Sequence, residues 1–173
     1  SRVVLPGVGA FGTAMNFIKD LKVEESIISI AKKEIPFLGI CLGMQLLFTE
    51  SKEFKITKGL NLMEGKVIPI PINSVEGKRL TLPHIGWNSL LPSNNIDNWK
   101  DTILEDNNFN DEVYFVHSFM AKPNQSETKV AECIYGGHKI TAVVKKNNIV
   151  GCQFHPEKSG EIGLKILKNF INN

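Results

Sequence analysis

Phe37-Leu38-Gly39-Ile40-Cys41-Leu42-Gly43-Met44-Gln45 is an apolar run that ends in a cysteine bracketed by two glycines. It reads as strand, sharp turn, helix. Gly39-x-Cys41-x-Gly43 is the cysteine counterpart of G-x-S-x-G, in which a nucleophile rides a tight turn at the carboxyl end of a strand. Side chains at Gly39 or Gly43 would crowd that turn, and a helix starting near Met44 would aim its first N–H groups at the sulfur and favour thiolate. A lone cysteine between Ile40 and Leu42 would ordinarily be a small core residue. The paired glycines set Cys41 apart and make it a candidate nucleophile.

A cysteine nucleophile needs a base for its proton, and the base needs a third group to fix its tautomer. His155-Pro156-Glu157 follows the last apolar run, Ile149 to Phe154, and supplies that pair two residues apart across a rigid proline. Zinc would use the same residue types, but neither C-x-x-C nor H-x₃₋₅-H spacing occurs. His117 and His138 stand singly and read as packing or surface residues.

Before the cysteine, Arg2 to Leu5 is a short β-rich run followed by Pro6-Gly7-Val8-Gly9-Ala10-Phe11-Gly12. Gly7, Gly9 and Gly12 spell G-x-G-x-x-G, but the acidic residue a dinucleotide site wants at the end of the next strand is missing, since Glu34 precedes its strand. The alternative is a glycine loop whose free N–H groups stabilise an anion formed during catalysis.

The remaining elements follow from periodicity. Met15, Ile18 and Leu21 mark one helix, Val23 to Lys33 another ended by Pro36, and Met44 to Thr49 the helix after the turn. Ser51 to Lys58 reads as charged loop, Val67 to Ile72 with its prolines as an edge strand, and Lys78 to Leu90 as strand–turn–strand. Asn94 to Asn110 is polar and reads as surface loop. Val113 to Phe119 is an aromatic strand, and Val130 to Ile134, Ile140 to Val144 and Ile149 to Phe154 are β-runs split by Gly136-Gly137 and Asn147-Asn148. Gly163, Ile166, Leu167, Phe170 and Ile171 mark a final amphipathic helix. The class is α/β, with a mainly parallel sheet and an antiparallel extension.

With 173 residues, 42% hydrophobic and 22% charged, the expectation is a single domain over residues 1–173. A net charge of +2 gives no electrostatic case for nucleic acid. Cys41, Cys133 and Cys152 are an odd number at wide spacings, which points to a reducing, cytoplasmic setting. No apolar run has the length of a membrane span.

Pro6-Gly7-Val8-Gly9, Gly39 to Gln45, Tyr114-Phe115-Val116-His117-Ser118-Phe119 and Gly151 to Gly160 occur in the order seen in class I (triad) glutamine amidotransferases, which the chain resembles. Pro83-His84-Ile85-Gly86-Trp87-Asn88 narrows the resemblance to the HisH-type glutaminase subunits of imidazole glycerol phosphate synthase. The resemblance implies a flavodoxin-like fold, no cofactor or metal, and a Cys41-His155-Glu157 triad acting on glutamine. It implies an oxyanion hole at Val8, Gly9 and Leu42, with glutamine held by Gly7, Gln45, Ser118 and Phe119. Its partner would be a HisF-type (β/α)₈ cyclase that takes the ammonia, faced by His84, Trp87, Tyr114 and Lys158. HisH-like paralogues that feed sugar amidotransferases carry the same triad, and a non-catalytic interaction module is the reading of another class. Such chains normally open with a strand and helix bearing a D-Y-G-x-G-N type sequence, so the expectation is that this one starts after them, N-terminally incomplete.

Overall fold

The computed structural model describes residues 1–93 and 96–172. In chain order the first elements are β1 (Val3–Gly7), α1 (Phe11–Asp20), α2 (Glu24–Lys32), β2 (Phe37–Cys41), α3 (Leu42–Leu46), β3 (Phe48–Ser51), β4 (Thr57–Lys58) and β5 (Met63–Pro69). They are followed by β6 (His84–Ser89), β7 (Leu91–Pro92), β8 (Glu112–His117), β9 (Phe119–Pro123), β10 (Lys129–Tyr135), β11 (His138–Lys146), β12 (Ile149–Cys152) and α4 (Gly160–Asn172).

The main sheet has the order β1-β2-β12-β11-β10-β7. Its first three strands are parallel and the rest join antiparallel. The expected combination of parallel sheet and antiparallel extension is therefore present in one sheet. β2 lies between two parallel neighbours and is buried at all five positions, as befits a strand covered on both faces. Alternation along β2 and β12 sends Phe37 and Ile149 to one core cluster and Leu38, Ile40, Val150 and Cys152 to the other. The first cluster takes Phe11, Met15 and Ile18 from α1 and Leu42, Met44 and Leu46 from α3; the second takes Ile166 and Phe170 from α4. Each large apolar side chain so enclosed contributes roughly 1.5–3 kcal/mol of transfer free energy.

A second sheet has the order β4-β3-β5-β9, and β6 pairs with β8 alone. Here tertiary pairing overrides several local expectations. The helix after Cys41 stops at Leu46, because the Leu47 carbonyl accepts the N–H groups of Leu62 and Met63 and the following residues pair with β5. The stretch read as an edge strand lies between β3 and β9; Pro69 ends it, so no ladder donor is lost from its interior. Within the stretch read as charged loop, Thr57 and Lys58 pair with β3.

The aromatic strand expected over Val113 to Phe119 is two strands. It breaks at Ser118, passing from its pairing with β6 to a pairing with β5. Of the polar stretch, Asn94 and Asn95 lie outside the described residues; the rest sends Trp99, Ile103 and Leu104 into the core, with the Trp99 indole N–H donating to the Val130 carbonyl at 3.3 Å. Composition hid these anchors.

The turn at Cys41 depends on close backbone approach. A Cβ on Gly43 would lie 1.8 Å from the Leu5 carbonyl oxygen, and one on Gly39 would lie 2.8 Å from the Gly43 carbonyl group and Met44 N. A Cβ on Gly12, inside α1, meets nothing closer than 3.5 Å. Gly43→Ala is therefore expected to lower stability by roughly 2 kcal/mol or more, whereas Gly12→Ala stays within about 1 kcal/mol of the parent. Thermal unfolding of the two variants checks this, and equal melting temperatures would contradict the close-packed turn.

Candidate active site

Cys41 closes β2 opposite Gly7 of β1 and adopts φ 54° and ψ −111°, on the positive-φ side that a non-glycine residue rarely visits. Holding it there costs on the order of 1–3 kcal/mol, offset by the packed strand and helix on either side. The thiol is buried. Burial pushes its pKa up to about 11, and the negative charge of Glu157 adds to the rise. The Leu42 backbone N–H, the Gln153 amide and the charge of Lys158 oppose it without prevailing. The thiolate expected from the helix N-terminus is thus absent in the resting protein, because desolvation outweighs the few donors that a five-residue helix offers.

His155 leaves the end of the main sheet just before a 3₁₀ turn over Pro156–Lys158. Its backbone is tied down on both sides: its N–H donates to the Tyr114 carbonyl at 2.9 Å, and the Ser159 hydroxyl donates to its carbonyl at 2.6 Å. The imidazole Nδ1 lies 2.7 Å from Glu157 Oε1. A carboxylate only accepts, so Nδ1 carries a proton, and in the neutral ring Nε2 holds the lone pair. Nε2 is buried and has no hydrogen-bond partner among the described residues. His155 and Cys41 line the same cavity of about 280 Å³.

Val8, Gly9, Leu42, Gln45, Ser118 and Phe119, which the family resemblance implies for the oxyanion hole and for glutamine, also line that cavity. Gly7 is not among the lining residues; a Cβ there would lie 3.2 Å from Leu42 Cβ and 3.3 Å from the Gly43 nitrogen. Of the residues expected to face a partner, Trp87 is 54% exposed and meets the Tyr114 ring edge-on at 6.1 Å, and Lys158 is exposed. His84 departs from that expectation: it is 3% exposed, stacked between Phe115 and Tyr135 and in contact with His117, so its ring presents no surface.

Three cavity neighbours escaped the sequence reading. Gln153, fully buried, donates to Cys41 Sγ at 3.7 Å and accepts from Gln45 Nε2 at 3.0 Å. Its place two residues before His155 was the available signal. Glu53, in the stretch read as charged loop, accepts the N–H of Phe11 at 2.6 Å and turns toward the cavity. His117, read as packing or surface, lines the cavity too. Among the described residues no cluster of three or more His, Cys, Asp or Glu could hold a metal, and no helix is long and apolar enough to cross a membrane.

The sequence profile of the family described as glutamine amidotransferase class-I matches residues 1–173. The subunit HisH 1 of imidazole glycerol phosphate synthase from Legionella pneumophila (strain Lens) is 47% identical over 170 residues, covering 98% of this chain and 80% of that one. HisH of Lactococcus lactis subsp. lactis (strain IL1403) is 50% identical over 171 residues, covering 98% and 78%. Among solved structures, PurLQS from Thermotoga maritima superposes with a TM-score of 0.65 at 20% identity, covering 99% of this chain and 79% of that one, a likeness of fold.

The raised thiol has a direct readout. Alkylation of Cys41 by iodoacetamide, measured against a Cys41→Ser baseline, is expected to be slow at pH 7 and to climb roughly tenfold per pH unit toward pH 10. A rate already flat from pH 7 would mean a preformed thiolate. Burial also pushes His84 and His117 down to about 4 from the ordinary 6.5. The unfolded chain therefore takes up protons first as pH falls, and stability present above 6.5 is lost between 6.5 and 4. Urea midpoints are expected to drop over this window, and less steeply in His84→Phe; parallel slopes in the two proteins would contradict the burial of a neutral pair.

Proposed function

Because this chain belongs to the class I glutamine amidotransferase family, we propose that it is the glutaminase subunit of an imidazole glycerol phosphate synthase, working in the cytoplasm and passing ammonia to a HisF-type (β/α)₈ cyclase. The observation that carries the reading is the His155–Glu157 hydrogen bond of 2.7 Å, which leaves the partnerless Nε2 in the cavity of a strained, buried Cys41. The names of the relatives at 47% and 50% identity support the choice of synthase.

The chemistry follows from the protonation states. Glutamine enters with its carboxamide carbon over Cys41 Sγ. Its ammonium group faces Glu53 and the Gln45 carbonyl oxygen, and its carbonyl oxygen faces the Leu42 N–H. His155 Nε2 takes the thiol proton as the S–C bond forms, so the thiolate exists only while substrate is present to share its charge. Negative charge builds on the carbonyl oxygen, where N–H groups of Leu42 and of the Val8–Gly9 loop stabilise it. Gly9 has φ 94° and Val8 is 80% exposed, a backbone free to turn its N–H inward. The imidazolium, held by Glu157, returns its proton to the departing nitrogen, the C–N bond breaks and ammonia leaves. Water then attacks the thioester carbon, giving one proton to His155, the C–S bond breaks, and the sulfur recovers that proton as glutamate departs. Exposed Trp87 and Lys158, with half-buried Tyr114 against Trp87, mark the face on which the cyclase would sit.

Glutamate release is expected to vanish in Cys41→Ala with the fold intact. It should fall by roughly 10²–10⁴ in Glu157→Gln, where the base keeps its place but loses its orienting charge. Measured alone and with a HisF-type cyclase and its ribotide substrate, the rate is expected to rise strongly in the mixture. An unchanged rate in Cys41→Ala would remove the mechanism. Turnover indifferent to the cyclase would keep the triad and overturn the choice of partner in favour of an acceptor such as a sugar.

A further inference from the structure

A connected set of hydrogen bonds links β6 to the nucleophile, its two halves converging on the Phe119 carbonyl. The Asn88 amide donates to the Ile134 carbonyl at 2.9 Å, which fixes Nδ2 as the nitrogen end, and the same nitrogen lies 3.3 Å from His84 Nε2. His84 Nδ1 is 3.0 Å from His117 Nε2, and His117 Nδ1 is 2.8 Å from the Phe119 carbonyl. That carbonyl can only accept, so His117 carries its proton on Nδ1 and offers Nε2 as acceptor. His84 must then carry its proton on Nδ1 and offer Nε2 to Asn88. Both rings are neutral and every tautomer is determined.

The Phe119 carbonyl also accepts from Gln45 Nε2 at 3.2 Å, which fills both of its acceptor positions. Gln45 Nε2 spends its other proton on Gln153 Oε1 at 3.0 Å, and the Gln153 amide reaches Cys41 Sγ at 3.7 Å. One consequence is that Gln45, a cavity-lining residue, has both amide protons committed and keeps only its Oε1 acceptor for a ligand. A second is that Phe119 follows immediately on Ser118, where the chain leaves one sheet for another. The direction of its carbonyl is set by His117 as well as by the strand.

We propose that His84 and His117 are positioning residues for glutamine: by holding the Phe119 carbonyl, they fix the Gln45 amide so that an acceptor faces the substrate's ammonium group, and they hold Gln153 against Cys41 Sγ. The proposal rests on the glutaminase reading for its substrate. The relay itself does not. The Phe119 carbonyl accepts from His117 on one side and Gln45 on the other, so loss of the His117 donor loosens the carbonyl against which the Gln45 amide is held.

The test has two arms. In protein labelled with ¹⁵N-histidine at pH 7.5, both rings are expected to be neutral with the proton on Nδ1; a proton on Nε2 of His117 overturns the relay whatever the protein hydrolyses. In the kinetic arm, run where the unsubstituted protein turns over glutamine, His117→Phe removes the donor and keeps an aromatic ring. His117→Asn keeps an N–H where Nδ1 stood and loses the ring. Positioning predicts that KM for glutamine rises about tenfold in His117→Phe with kcat changed less than threefold, and that His117→Asn stays within threefold of the parent KM although its melting temperature is the lower of the two. If the ring serves packing alone, the order reverses and KM follows melting temperature, which overturns the proposal. Absence of turnover in the unsubstituted protein would count against the glutaminase reading, with the tautomers still deciding the relay.

Discussion

The site depends on one backbone constraint. Between the buried strand β2 and the short helix α3, Cys41 is held at a positive φ by contacts that leave no room for a Cβ at Gly39 or Gly43. Because β2 is flanked by β1 and β12, the same strand end that presents the sulfur lies beside the glycine loop on one side and the His155 turn on the other. Three segments far apart in sequence, near residues 8, 41 and 155, meet at one cavity through parallel pairing. The local strain is stored at the candidate nucleophile, and the two core clusters hold it in place.

Electrostatics then separates the resting from the working state. A thiol raised to about 11 is protected from adventitious reaction, and its neighbour His155 is held ready by Glu157 with its accepting nitrogen unpartnered. Cys133, raised to about 12, and Cys152, pushed well above the ordinary thiol value by burial, lie in the core without a base. Three cysteines of similar burial thus differ by what stands beside them, and burial alone distinguishes none of them as nucleophile.

The nucleophile turn and the His-Pro-Glu pair were legible because their geometry is local: glycine spacing and a proline between two functional side chains report backbone requirements directly. The strand break at Ser118 was not, since the residues on both sides of it favour strand and only pairing with β6 and β5 reveals two sheets. Trp99, Ile103 and Leu104 were obscured by the polar residues around them, and Glu53 by its charged neighbours. The family resemblance set His84 beside Trp87 on the partner face, yet strand alternation puts Trp87 outward and the stack of Phe115 and Tyr135 encloses His84. The link from His84 to Gln45 spans three separated segments, and nothing in local sequence encodes it.

The central claim is that Cys41, and no other cysteine, forms the covalent bond to glutamine's carboxamide carbon with His155 as its base. The most direct measurement is peptide mapping by mass spectrometry after incubation with 6-diazo-5-oxo-norleucine, an electrophile of glutamine shape. A single adduct on Cys41 is expected, blocked by excess glutamine and greatly slowed in His155→Ala. An adduct on Cys133 or Cys152, or labelling of Cys41 at an undiminished rate without His155, would contradict it.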